Sequence, residues 1–269
     1  MSLSVTILTS AWSAYKYLDQ YLFGISKLKS VSDQLDITLA FGSVSDSYTD
    51  QDHESIRQML QKTCDETGIN LLFYRGDKSE NYSCTINNLI AQTIGFTENY
   101  AINNLDDFRV PENLLEQVKT LQSSLWTYSD FVCTNNIIES INSYNLNHSL
   151  KIEETWSEVN LANKEKYYRE FKWSCFLSFK AQLVARFGPY HEGYLSCGDY
   201  DFVNRLLFFS IKPIKTPGIA GYFLSVGLGI STKPNSPGIR EGYHVLEKFL
   251  LNRHPVNVYY NRKFLWRNL

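Results

Sequence analysis

Two adjacent aspartates, Asp106 and Asp107, follow Asn104 in the chain and precede a predicted helix that begins at Pro111. One or two aspartate carboxylates, together with phosphate oxygens, can hold a divalent cation on a nucleotide diphosphate. Aspartate is also favoured at helix N-termini, where its carboxylate accepts backbone hydrogen bonds. The pair therefore indicates either a metal–diphosphate site or a helix cap.

A second acidic cluster lies further along the chain. Asp199 and Asp201 follow Gly198 at the start of another predicted helix, and Glu192 stands upstream. A carboxylate held beside a hydroxyl nucleophile can act as a general base. The alternative is that both aspartates cap the helix and complement its dipole. Asp201 is expected to cap the helix or to pair with Arg205, four residues on.

Several common catalytic motifs are absent from the sequence. No G-x-G-x-x-G follows the first predicted strand, and the chain has no Walker A loop and no G-x-S-x-G elbow. Its five cysteines are scattered without a C-x-x-C pair, and no H-E-x-x-H occurs. We therefore expect no disulfide framework and no zinc site, and a reducing, cytoplasmic setting.

The composition is that of an ordinary globular protein. Of the 269 residues, 43% are hydrophobic and 20% are charged, and the net charge of −2 provides no basic field for nucleic acid. No apolar run approaches the ~20 residues that span a bilayer, and the first residues lack the features of a signal peptide. Aromatic residues make up 14% of the chain. Most are expected in the core, and some could stack on a sugar or a base.

The elements that would position the two clusters alternate between strand and helix. Strands are predicted at residues 4–9, 36–41, 70–74 and 99–104, and helices at residues 14–28, 52–67 and 83–95. This order predicts a mostly parallel sheet with helices on both faces. Ligands of such sheets bind outside the carboxyl ends of the strands. The segments expected there are residues 10–13, 42–46, 76–83 and 104–109.

The pattern changes after Pro111. We predict a helix at residues 111–122, a short strand at 130–134, and a helical block at 164–209 that is interrupted at Gly188-Pro189. The tail from residue 212 contains five prolines and is expected to form loops, short strands and one helix near 242–251.

Four stretches resemble motifs of glycosyltransferase family 2. Residues 4–13 resemble the family's opening strand and turn. Residues 81–90 and 100–107 resemble the Asp-x-Asp motif and the segment before it, and residues 187–201 are similar to its acceptor motif. The resemblance implies an α/β fold of the GT-A type in a single large domain. Its nucleotide-sugar-binding half would be residues 1–110 and its acceptor-binding half residues 111–215, followed by a C-terminal extension at 216–269.

The resemblance also implies roles for particular residues. Asp106 would bind Mg²⁺ or Mn²⁺, Asp199 would be the catalytic base, and Trp12 would lie near the nucleotide base. The donor-binding set is Thr9, Ser10, Trp12, Phe41, Asp46, Asp77, Asn87, Asn104 and Leu105. The acceptor-binding set is Glu192, Tyr194, Tyr200 and Trp173, and Trp156 is a further aromatic residue of that half.

Three positions depart from the family's pattern. Phe41 stands where the family usually has an aspartate that reads the base, so either Asp46 or Asp77 would take that role or the base would be held differently. Asn104 replaces the first aspartate of the Asp-x-Asp motif. Gly198 replaces a glutamate, and it is expected to allow a tight turn that lifts the Asp199 carboxylate into the cleft.

The resemblance implies an inverting glycosyltransferase that moves a sugar from a nucleotide-diphosphate donor to a hydroxyl of a glycan, such as a surface polysaccharide, or of a glycolipid. One alternative is a non-catalytic sugar-binding or scaffolding protein on the same fold. Another is a nucleotidyltransferase, although residues 10–16 lack the Gly-rich basic signature of that class. The basic, aromatic tail at 250–269 could contact an anionic membrane or could close the core.

Overall fold

The computed structural model of the chain describes residues 3–137, 139, 152–153, 176–224 and 237–250. Nine strands occur within these residues. They are β1 (Leu3–Trp12), β2 (Leu35–Val44), β3 (Asn70–Arg75), β4 (Asn99–Ile102), β5 (Phe108–Arg109), β6 (Trp126–Thr134), β7 (Ile152–Glu153), β8 (Ser178–Lys180) and β9 (Ile214–Leu224). They form one mixed sheet in the order β3-β2-β1-β4-β8-β6-β9-β5, and β7 pairs with β6.

Seven α-helices accompany the sheet in the described part of the chain. They are α1 (Leu18–Lys27), α2 (Asp50–Thr67), α3 (Tyr82–Thr93), α4 (Pro111–Thr120), α5 (Gln182–Phe187), α6 (Gly198–Phe208) and α7 (Pro237–Leu250). Short 3₁₀ turns at Ala14–Lys16 and Leu28–Ser30 flank α1. None of the described helices is both long enough and apolar enough to cross a membrane.

The first four strands confirm the predicted α/β class. β2, β1 and β4 lie side by side in parallel, and β3 pairs with the outer edge of β2. In this register Ser10 is opposite Gly42, and Trp12 is opposite Val44. The carboxyl ends of these strands therefore meet along one edge of the sheet, where a ligand site is expected.

Two apolar layers hold the helices on opposite faces of the sheet. One layer packs α1, α2 and α4 against the strands through residues such as Tyr21, Leu60 and Leu114. The other packs α3, α5 and α6 through residues such as Ile86 and Phe202. Because each face is covered, the central strands are apolar on both sides, as in other parallel sheets.

Local signals account for several helix ends. Thr49 and Asp52 form a reciprocal capping box at the start of α2, and Gly68 ends that helix with a φ of 73°, as predicted. The Asn81 side chain accepts a hydrogen bond from the backbone N–H of Cys84 and caps α3. Pro111 is the first residue of α4, also as predicted.

The second half differs from the sequence prediction in three places, one of which is residues 190–197, predicted within a helical block but forming a loop. Residues 178–180 were predicted to be helical, but they form β8, which lies antiparallel to both β4 and β6. Ser178 and Phe179 are both buried, so the strand lacks the alternation that would reveal it. The tail contributes an 11-residue strand, β9, rather than short strands. The domain boundary predicted at residue 215 lies inside β9.

The close approach of α3 to β2 leads to a stability prediction. A Cβ atom at Gly42 would lie 2.3 Å from Cγ2 of the buried Thr85 side chain. We expect Gly42→Ala to lower the free energy of unfolding by about 1–3 kcal/mol, measured by urea denaturation.

Thr85→Ser removes the clashing methyl group and keeps the hydroxyl, so the double variant with Gly42→Ala should recover much of the loss. Gly95→Ala is the control, because nothing lies within 4 Å of its Cβ position. Equal losses in the two alanine variants would contradict this account.

Candidate active site

The carboxyl ends of β1 and β2 present an exposed aromatic side chain and an acid. Trp12 is the last residue of β1 and is 48% exposed. Asp46 is exposed in the segment that follows β2. Nearby, the Tyr15 and Tyr48 rings pack with centroids 5.2 Å apart, and the Tyr48 hydroxyl accepts a hydrogen bond from the Tyr15 backbone N–H. This surface could receive a flat ring, with a carboxylate to accept its hydrogen bonds.

Two residues of the predicted donor set lie inside the protein. The Thr9 hydroxyl is buried 2.6 Å from the Tyr21 hydroxyl and donates to the Asn103 carbonyl. Phe41 is fully buried between the Tyr21 and Phe73 rings. Their side chains therefore offer no surface to a ligand. Ser10, between Thr9 and the end of the strand, is half-buried.

Asp77 follows β3 and is exposed. Its carboxylate accepts hydrogen bonds from the backbone N–H and the hydroxyl of Ser79, at 2.8 and 2.7 Å. These bonds hold the pKa of Asp77 below its ordinary value. Asp77 therefore stays ionised and shapes the turn that leads from β3 into α3.

The two aspartates in the turn after β4, Asp106 and Asp107, have different surroundings. Asp107 is buried, and its carboxylate accepts hydrogen bonds from the Asn104 side-chain amide and from the backbone N–H of Leu224 in β9. Leu105 is buried in the apolar layer. Residue Val110 caps α4 without a side-chain bond, so neither Asp106 nor Asp107 caps that helix. The capping interpretation of this pair is wrong, and Asp107 instead joins the turn to β9.

The Asp106 carboxylate lies in a desolvated position. Burial raises the pKa of Asp106, and its own backbone N–H and the charge of Lys16 oppose that rise. The Asp106 carbonyl accepts a 2.7 Å hydrogen bond from the Gln20 side chain, which fixes the backbone. A desolvated carboxylate of this kind gains stability from a cation.

The buried guanidinium of Arg109 connects the elements around the Asp106 turn. It donates to the Ile102 carbonyl at 2.6 Å, to the Ser178 hydroxyl at 2.8 Å and to the Gln117 side chain. These bonds join the end of β4 to α4 and to β8. The elements on either side of the loop that carries Asp106 are therefore held together by the Arg109 hydrogen bonds.

Residues 188–197 cross from α5 to α6 and dock on α3. We name them the acceptor loop because they lie in the stretch that resembles the family's acceptor motif. The Asn87 side chain accepts a bond from the Tyr190 N–H and donates to the Tyr190 carbonyl and the Glu192 carboxylate, at 2.8–2.9 Å. The Asn81 side chain donates to the Glu192 carbonyl. Asn87 was predicted to bind the donor, but in this structure its side chain holds the acceptor loop.

A buried ion cluster fixes the other side of the acceptor loop. Asp201 is fully buried and lies 3.0 Å from the Arg205 guanidinium and 2.5 Å from Lys248 of α7. The pairing with Arg205 is the one predicted from the i, i+4 spacing. Arg205 also donates to the Phe187 and Pro189 carbonyls. One guanidinium thus joins α6 to the end of α5 and the start of the loop.

A second acid of α7 reaches the loop. The Glu241 carboxylate accepts hydrogen bonds from three consecutive backbone N–H groups, those of Leu195, Ser196 and Cys197, at 2.9, 2.8 and 3.1 Å. These residues immediately precede α6. Neither Glu241 nor Lys248 belongs to a recognisable sequence motif, although Pro237 is a recognisable helix start.

Asp199 lies in the first turn of α6 in a half-buried position. Burial raises its pKa from 3.8 to about 7, against the hydrogen bonds that the carboxylate accepts from the Tyr200 N–H and from its own. Cys197 begins the helix without a side-chain cap, so Asp199 does not act as the cap. Its near-neutral pKa suits a group that must accept a proton at physiological pH.

Gly198 serves a different purpose from the one predicted. It does not adopt a left-handed conformation, and a Cβ atom there would lie 1.9 Å from the Ser83 hydroxyl oxygen. The glycine therefore permits close approach of α6 to the first turn of α3, which follows the carboxyl end of β3. This contact places the start of α6, and with it Asp199, against the start of α3.

The aromatic residues near Asp199 are mostly covered. Tyr194 and Tyr200 are buried, at 4% and 8% exposure, and Trp156 and Trp173 lie outside the described residues. Glu192 is exposed. Tyr190 was not predicted, yet its hydroxyl is buried without a hydrogen-bond partner among the described residues. Burial and then the charge of Asp199 raise the Tyr190 pKa, so the two groups are neighbours.

No group of three or more His, Cys, Asp or Glu side chains in the described ranges is placed to hold a metal ion. The desolvated Asp106 carboxylate fits a divalent cation that takes its remaining ligands from a diphosphate. The Asn104 amide nitrogen donates to Asp107, so only the amide oxygen of Asn104 is left for a cation.

The Asp201 cluster leads to a second stability prediction. Asp201→Asn keeps the shape of the side chain but leaves Arg205 and Lys248 without their counter-charge in a buried site. We expect a loss of about 3–5 kcal/mol in the free energy of unfolding, measured by urea denaturation.

Glu116→Gln is the matched control, since it breaks an exposed pair with Lys119. It should cost less than about 1 kcal/mol. Similar losses in the two variants would show that the Asp201 cluster does not hold the loop and α7 together.

Comparison with models of protein families and with curated proteins yields no match. Solved structures do match. The chain is similar to S. aureus TarS residues 1–349 in complex with UDP-GlcNAc, with a TM-score of 0.64 and 14% identity over 98% of this chain and 70% of that one. In the complex of the same protein with UDP, the values are 0.63 and 13%, over 94% and 66%.

A mannosyltransferase from Pyrobaculum calidifontis, PcManGT, in complex with GDP-Man and Mn²⁺, has a TM-score of 0.56 and 14% identity, over 92% of this chain and 70% of that one. The chain thus spans about two thirds of the length of these structures. At such identities the likeness concerns the fold. The chain has the mixed, mostly parallel α/β fold, flanked by helices, of these glycosyltransferase structures.

Proposed function

We propose that this protein is an inverting glycosyltransferase of family 2, which transfers a sugar from a nucleotide-diphosphate donor to an acceptor hydroxyl of a glycan or a glycolipid. The observation that carries the proposal is the position and pKa of Asp199. It is a half-buried carboxylate with a pKa of about 7 in the first turn of α6, and the preceding Gly198 closely approaches Ser83 at the start of α3, the helix that follows β3. The similar structures in complex with UDP, UDP-GlcNAc and GDP-Man support the donor class.

The donor would bind along the edge formed by β1, β2 and β4. Trp12 offers an exposed ring for the nucleotide base, and Asp46 offers a carboxylate to the base or the ribose. The diphosphate would lie near Asp106 and Lys16. Asp106 would hold Mg²⁺ or Mn²⁺ there, and a cation so placed offsets the charge that develops on the leaving diphosphate.

Asp199 would perform the proton transfer. The acceptor oxygen attacks the anomeric carbon from the face opposite the diphosphate, and its proton passes to the Asp199 carboxylate. A new carbon–oxygen bond forms as the bond to the diphosphate breaks, and the nucleoside diphosphate leaves.

A panel of UDP-, GDP- and dTDP-sugars, with and without Mn²⁺, tests this proposal. The donor is expected to raise the melting temperature and to be hydrolysed slowly, with release of nucleoside diphosphate. Asp199→Asn should bind the donor as the wild type does but lower kcat by at least about 10²-fold, because a positioned base contributes about that factor or more. Donor binding without any turnover would favour the non-catalytic alternative. Formation of a nucleoside triphosphate and a sugar phosphate when pyrophosphate is added to the nucleotide sugar would favour a nucleotidyltransferase.

The pH dependence of stability is the control for Asp199→Asn. The folded wild type keeps a proton on Asp199 up to pH of about 7, whereas the unfolded chain loses it near pH 3.8. The wild type therefore loses stability as the pH rises through this window, and the asparagine variant does not. We expect the variant to be the more stable protein at pH 8, by thermal unfolding. A variant that is instead less stable by about 1 kcal/mol would indicate a helix-capping role.

Metal binding leads to a prediction for Asp106. One carboxylate is a poor site for a hard cation, so Mn²⁺ should bind tightly only when a nucleoside diphosphate supplies further oxygens. Titration calorimetry with Mn²⁺ alone and with Mn²⁺ plus UDP or GDP measures this, and Asp106→Ala should abolish the difference. Tight Mn²⁺ binding without nucleotide, unaffected by Asp106→Ala, would contradict it.

A further inference from the structure

The half of the acceptor loop next to Asp199 is held by α7. Glu241 accepts hydrogen bonds from the backbone N–H groups of residues 195–197, at 2.8–3.1 Å. The Cys197 thiol lies 3.3 Å from the Gly238 carbonyl, and the His244 ring lies 3.4 Å from the Tyr194 hydroxyl. Three successive turns of α7 therefore contact residues 194–197. The other half of the loop, by contrast, is tied to α3 and α6.

A carboxylate is well matched to this position. Three parallel N–H groups just before a helix form a concentration of positive partial charge, which favours an anion. Hydrogen bonds to an ionised acceptor are shorter and stronger than those between neutral groups. A glutamine at this position would accept with one atom only, and its own N–H group would face another donor. The segment therefore depends on an acid at residue 241.

We infer that Glu241 is a positioning residue for the reaction: it fixes the backbone before α6 and thereby the direction of the Asp199 carboxylate. This inference rests on the proposed function for its catalytic consequence. Asp199 is two residues from the last N–H that Glu241 holds, at Cys197. A displacement of about 1 Å in a reacting group can cost about 10²-fold in rate.

Three variants distinguish a positioning role of Glu241 from a general contribution to stability. Glu241→Gln removes the charge and keeps the shape, Glu241→Asp keeps the charge with a shorter reach, and Glu66→Gln makes the same chemical change at an exposed residue of α2. Hydrogen exchange of the segment 194–200 reports the loop directly. Hydrolysis of UDP-GlcNAc or GDP-mannose, whichever the wild type uses, supplies kcat and KM.

In Glu241→Gln we expect exchange at residues 195–197 to be about tenfold faster, since each amide loses a charge-assisted bond. We expect kcat to fall about 10–100-fold while the donor KM stays within about twofold, because the donor edge is not altered. Glu241→Asp should recover part of both effects, and Glu66→Gln should match the wild type.

Unchanged exchange in Glu241→Gln would overturn the inference, and so would faster exchange with an unaltered kcat. A rise in KM equal to the fall in kcat/KM would also overturn it, since it would show loss of donor binding. If the wild type turns over no nucleotide sugar, the proposed function fails. The exchange result then decides by itself whether Glu241 holds the loop.

Discussion

The buried carboxylate of Asp201, with its two cationic partners, is the interaction on which the candidate site depends. A fully buried acid must be paired, and here the partners come from α6 and α7. Arg205 uses its remaining N–H groups on the Phe187 and Pro189 carbonyls, so the same cluster anchors the acceptor loop. Asp199 lies two residues before Asp201 and faces a different side of the helix. The Asp201 cluster therefore holds the backbone of α6 without using the Asp199 side chain, which under the proposed function would meet the acceptor.

The sequence predicts the first half of the fold well because its signals are local. β-Branched runs, the glycine that ends α2 and the proline that begins α4 each act within a few residues. The second half depends on partners distant in the chain. β8 is a strand because β4 and β6 pair with it, and it is buried on both faces. Glu241 acts on residues 195–197, and no local pattern relates positions so far apart. The Asp201–Arg205 pair was predictable because i, i+4 spacing is itself a local signal.

The three departures from the resembled family each have a packing explanation. Phe41 fills a space between the Tyr21 and Phe73 rings, where an ionised aspartate would be buried without a partner. Asn104 donates to Asp107, a hydrogen bond that a second carboxylate could not make. The absence of a side chain at Gly198 leaves room for the Ser83 hydroxyl. In each case the replacement suits its neighbours in this chain, and under the proposed function base recognition moves outward, from residue 41 to the exposed surface of Trp12 and Asp46.

Asp106 and Asp199 show how similar burial can prepare two acids for different roles. Desolvation raises the pKa of both side chains. The nearby charge of Lys16 favours the ionised form of Asp106, so that carboxylate is suited to a cation and the charge of a diphosphate. Asp199 lies beside Tyr190 and Cys197, whose side chains supply no positive charge, and burial therefore dominates and brings its pKa to about 7. The Asp199 carboxylate is therefore suited to accept a proton near neutral pH. Under the proposed function, environments that differ in this way would assign metal binding to Asp106 and proton transfer to Asp199.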